Sequence, residues 1–157
     1  MAVRYAPTPF SAVSVNSSTS PSPRLAGRLR IGLAAGAFVV LSVLATAASL
    51  RPDPRGQGTH EQLGLPPCTF RVLFGKRCPS CGMTTAWAHF VQGHPLRALQ
   101  THVGGTVLAG LALAGSLGAL GIAAVGRKPA WRPSKRLIVG TALAVVVSVL
   151  VEWGLRW

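Results

Sequence analysis

Residues 103–125 read VGGTVLAGLALAGSLGALGIAAV, a run without a single charge. At 1.5 Å per residue it makes a helix about 35 Å long, enough to cross a hydrocarbon core of about 30 Å. Immediately after it comes a short basic turn, 126–136, in which Arg127, Lys128, Arg132, Lys135 and Arg136 fill five of eleven positions. A further apolar run, 137–155, follows; it contains Glu152, while Trp153 and Trp157 stand where an interfacial aromatic belt is expected. Upstream, residues 31–50 are apolar and are preceded by Arg24, Arg28 and Arg30. These runs predict an all-α integral membrane protein with three transmembrane helices at 31–50, 103–125 and 137–155, and the lipid bilayer as its first partner.

Composition agrees with that class. Of the 157 residues, 49% are apolar and only 12% charged. The net charge of +13 would point to nucleic acid in a soluble chain, but here the basic residues flank apolar runs, so no nucleic-acid partner is expected. Residues 1–30, rich in Ser and Pro and lacking any acid, predict a disordered basic tail. Ala45-Thr46-Ala47 resembles a signal-peptidase site, so a cleaved signal peptide is an alternative reading of the first run. The insert 51–102 carries six Lys or Arg over a much longer stretch than the basic turn. Positive charge concentrates on the cytoplasmic side, which predicts a multi-pass protein of the cell membrane with a cytoplasmic N-terminus and turn, and an extracytoplasmic insert. Small residues four apart (Gly32 and Gly36; Gly110, Ala114 and Gly118; Gly140, Ala144 and Ser148) offer faces for helix packing, within the chain, in a homo-oligomer or against other membrane proteins. Glu152 and Arg156 have the spacing of an i,i+4 ion pair, with a proton relay as the alternative role for Glu152.

The insert gathers every cysteine of the chain, Cys68, Cys78 and Cys81, within fourteen residues. In Cys78-Pro79-Ser80-Cys81 the proline suits the first position of a helix, predicting an amphipathic helix over about 79–92 with Cys78 as N-cap. Its apolar face would be Met83, Ala86, Trp87, Phe90 and Val91, opposite Cys78, Cys81, Thr85, His89 and Gln92. Gly93 and His94-Pro95 would end it, and a second short helix over 95–100 would lead into the span.

The run CTFRVLFGKRCPSCGMTTAWAHFVQGHPLRALQTHVGG, beginning at Cys68, resembles a bacterial membrane-protein family known as domain of unknown function 2752. The shared positions are Cys68, Cys78, Pro79, Cys81, Gly82, Thr84, Gly93, Ala98 and Leu99, over roughly residues 65–125. At Thr85 the chain departs from the family, which commonly has Arg there. The resemblance implies a small multi-pass membrane protein and brings no activity with it.

Three readings compete for the cysteines. In a thiol-disulfide oxidoreductase, Cys78 would be a thiolate at the helix N-terminus and Cys81 its resolving partner, but no catalytic constellation accompanies the Cys-x-x-Cys and no βαβ pattern presents it. In a metal knot, with zinc the leading ion, the three thiolates would be joined by a fourth ligand. His89 is excluded because eight helical residues carry it about 12 Å from Cys81, leaving His60, His94 or His102. In a structural disulfide, Cys68 would bridge to Cys78 or Cys81 and staple an insert with little core.

Overall fold

The computed structural model describes residues 24–127 and 133–156. The expected tail up to residue 23 and the centre of the basic turn, 128–132, lie outside the described residues. Among the described residues there are helices and no strands. Three helices are long and apolar enough to cross a membrane: α1 (Gly27–Ser49), α5 (Val103–Val125) and α6 (Lys135–Leu155). Between the first two run a 3₁₀ turn (Thr59–Leu63), α2 (Thr69–Phe74), α3 (Met83–Val91) and α4 (Pro95–Thr101). Residues 27–30, expected in the tail, are already helical.

Helix α1 packs antiparallel on α5, its principal partner. The ends of the pair are tied by hydrogen bonds, because helix termini leave backbone groups without intrahelical partners. At one end Leu25 N–H donates to Gly126 O (2.9 Å), and the Arg30 guanidinium donates to Ala123 O (2.8 Å) and Ala124 O (3.2 Å). At the other, Gln92 Nε2 donates to Ala48 O (3.1 Å) and Leu50 O (2.7 Å), so one amide of the insert caps α1.

The face of α5 turned to its neighbours carries Ala109, Ser116 and Ala123, all buried, at heptad spacing. This corrects the expected stripe. Ala114 and Gly118 are exposed, a Cβ on Gly118 would meet nothing within 4 Å, and only Gly110 of the three lies near a neighbour, Phe90. Helix α6 buries no residue and touches α5 mainly at its C-terminal end. There a Cβ added to Gly104 would overlap Val149 Cγ2 and come 3.2 Å from Ser148 Oγ.

Helix α3 also differs from expectation. It starts at Met83, not at Pro79, because its N-cap Gly82 is left-handed (φ 97°), which ends the preceding turns and opens the helix. Its expected polar face is partly interior, since α3 is wedged between α1 and α5 and buries Thr85, Ala86 and Ala88.

Gly104→Leu should therefore destabilise the protein by about 1–3 kcal/mol through overpacking, read as a lower thermal midpoint in detergent. Gly118→Leu should change stability by less than about 0.5 kcal/mol. Equal losses would contradict this packing.

Candidate functional site

The sulfur atoms of Cys68, Cys78 and Cys81 all lie within 4.8 Å of one another, and all three thiols are free and half-buried. Two turns place the second and third. Cys81 N–H donates to Cys78 O (3.0 Å) and Met83 N–H to Ser80 O (3.1 Å), with Pro79 in a turn position that suits its fixed φ. Gly82 then lets the chain reverse. A Cβ there would lie 2.7 Å from Gly56 O, so both its φ and the close approach of the Gly56 backbone require glycine. Cys68 arrives from the far side as the N-cap of α2.

The environments of the thiols differ. The backbone N–H of Arg71, helped by the neighbouring thiol of Cys78 and the N–H of Phe70, lowers the Cys68 pKa, although neither amide makes a full cap hydrogen bond. Burial pushes the Cys78 thiol up to about 11, reinforced by Cys68 and Cys81 beside it. Cys78 does not stand at the helix N-terminus that the redox reading expected: it lies before Gly82, outside the helix, where burial raises its pKa.

A cavity of about 230 Å³ opens in front of the sulfurs, lined also by His60, Thr84 and Thr85. Of the three histidines put forward as fourth ligands, His60 alone lines it. His94 caps α4 and stands edge-on to His89, ring centroids 6.3 Å apart. His102 is 2% exposed and fully engaged. Its Nδ1 accepts from Gly105 N–H (3.1 Å), which leaves Nε2 to donate to Pro79 O at 3.0 Å. Glu152 Oε2 lies 3.2 Å from the same Nδ1, a contact that becomes an ion pair only if the ring takes a second proton. With the neutral ring, Glu152 Oε2 accepts from Val103 N–H (2.9 Å).

The C-terminal end of α6 is bonded to the insert. Trp153 Nε1 donates to Arg77 O (2.8 Å), and Arg156 donates to Thr101 O (2.7 Å) and Gln100 O (3.1 Å). The expected Glu152–Arg156 pair is present, with Nη2 and Oε1 2.6 Å apart but the N–H poorly aligned for a hydrogen bond. Sequence reasoning missed the links from α6 to the insert because nothing local marks partners so far apart in the chain. It also missed the buried Thr59–Thr85 hydroxyl pair (2.8 Å), whose Thr59 Oγ1 accepts from Asp53 N–H (3.1 Å). Thr85 is wholly buried, and its small hydroxyl fits this interior position.

Comparison with known families agrees with the cysteine signature. Residues 68–115 match the model of a family described as "Protein of unknown function (DUF2752)". The match begins at Cys68 and runs through α3 and α4 into the middle of α5. No curated protein and no solved structure matches the chain.

Thiolates, not thiols, are alkylated by iodoacetamide. In reduced, chelator-treated protein, Cys68 should be modified at lower pH than Cys78, whose labelling should rise only as pH approaches about 11. Peptide mapping across a pH series checks this, and identical profiles for the two would contradict the distinct environments.

Proposed function

We propose that the protein is a metal-binding membrane module in which Cys68, Cys78 and Cys81 form a structural zinc centre that fixes the insert to the bundle. The observation that carries this reading is the convergence of three sulfurs within 4.8 Å on one cavity. Tetrahedral zinc holds thiolates about 2.3 Å from the ion, hence about 3.8 Å from one another, so small side-chain movements suffice to close the site. Burial holds the Cys78 thiol in its protonated form and adjacent thiolates would repel each other; a divalent cation offsets both while releasing the protons. His60, on the cavity wall, is the fourth ligand in this reading.

The need for such a knot follows from α2. This helix buries none of its residues, Val72, Leu73 and Phe74 are more than 60% exposed, and it packs on no other helix except through Phe70 against Trp153 at 6.5 Å. Cys68 is its link to the body. In the proposed topology the insert is extracytoplasmic and the basic ends of the spans are cytoplasmic. The outward Ala114 and Gly118 would accept a second copy or another membrane helix.

Protein purified under reducing conditions should carry one zinc per chain by elemental analysis. Each of Cys68→Ser, Cys78→Ser and Cys81→Ser should lose it and lower the thermal midpoint by a similar amount, with His60→Ala weakening retention less. Metal-free wild type with a Cys81→Ser variant that traps a reductant-sensitive mixed disulfide through Cys78 would instead establish thiol exchange. A Cys68 disulfide in metal-free protein would establish the simpler staple.

A further inference from the structure

The acids of this chain are confined to one end of the bundle, while basic residues stand at both. Its three acids, Asp53, Glu61 and Glu152, all lie in the insert or at the end of α6 that touches it. The other end has none. There Arg24, Arg28 and Arg30 precede or open α1, Arg127 follows α5, and Lys135 and Arg136 start α6. The fold crowds them further, because Arg24 and Arg127 face each other in an antiparallel bridge beside the Leu25 N–H to Gly126 O bond. Two like charges on paired backbone repel, and no carboxylate of the chain is within reach to relieve them.

Next to this cluster a groove of about 490 Å³ runs between α1 and α5. Its walls are Ile31, Ala34, Leu120 and Ala123, apolar throughout, and Arg30 stands at its rim. The carbonyls of Ala123 and Ala124 hold that guanidinium in place through Nε and Nη2, leaving three of its five N–H donors for another acceptor. A fixed guanidinium beside an apolar groove, with exposed arginines at the ends of helices long enough to span a membrane, matches the two halves of an acidic phospholipid.

We propose that this end of the bundle is a binding site for an anionic phospholipid, whose phosphate is held by Arg30 with Arg24, Arg28 and Arg127 and whose acyl chain lies in the groove between α1 and α5. The lipid supplies the negative charge that the chain lacks there and fills the space that the small Ala34 and Ala123 leave. The site is separate from the cysteine centre and stands without it.

The test is native mass spectrometry of the full chain in neutral detergent, titrated with phosphatidylglycerol or with phosphatidylcholine of the same acyl chains. Phosphatidylglycerol should be retained at least tenfold better. Each of Arg24→Gln, Arg28→Gln and Arg127→Gln should weaken retention by roughly fivefold, whereas the pair Arg51→Gln and Arg97→Gln at the other end should not. Arg28→Gln alters an exposed side chain and serves if the others fail to fold. Equal retention of both lipids, or undiminished retention by the Arg28 variant, would overturn the proposal. So would full displacement of the lipid by millimolar inorganic phosphate, since a free anion would then be the ligand.

Discussion

The buried imidazole of His102 is the contact on which the insert depends. It sits at the junction of α4 and α5, where the chain leaves one helix for the next and both have unpaired backbone groups. One ring nitrogen takes Gly105 N–H from the first turn of α5 and the other holds Pro79 O, so one side chain fixes the cysteine turn to the membrane span. A buried donor or acceptor without a partner costs about 1–3 kcal/mol, which makes this double bond to backbone a strong constraint on the position of Cys78 and Cys81. His102, one of three histidines named in sequence as a possible fourth metal ligand, has both ring nitrogens engaged by backbone groups.

Around that contact the remaining ties are reciprocal. The spans provide free carbonyls and amides at their ends; the insert provides Gln92 to α1 and receives Trp153 and Arg156 from α6, while Glu152 of α6 takes Val103 N–H at the start of α5. Helix α6 buries nothing along its length, so these terminal bonds, with the close fit at Gly104, hold its end against the insert. In lipid such bonds carry more of the specificity than burial of apolar surface does, because hydrocarbon surrounds the helices whether or not they pack.

The long apolar runs were legible because span length and the absence of charge are local properties, and the cysteine cluster because its members are close in sequence. What was not legible depended on contacts between distant segments. Gly82 begins α3 because the Gly56 backbone presses against it, and no helix-start pattern encodes that approach. Within the chain the buried face of α5 is Ala109, Ser116 and Ala123 and not Ala114 and Gly118, and both sets are small residues, so size alone does not tell the two faces apart. His60 could be singled out among the histidines only once the 3₁₀ turn was seen to lie beside the thiols.

The proposed zinc centre would unite these features, joining α2, which has almost no packing of its own, to a turn already held by His102. X-ray absorption at the zinc K-edge of the purified protein addresses it directly. The account predicts three sulfur scatterers at about 2.3 Å and one nitrogen at about 2.0–2.1 Å. An oxygen- and nitrogen-only shell, or no zinc edge in protein whose three thiols are reduced, would contradict it.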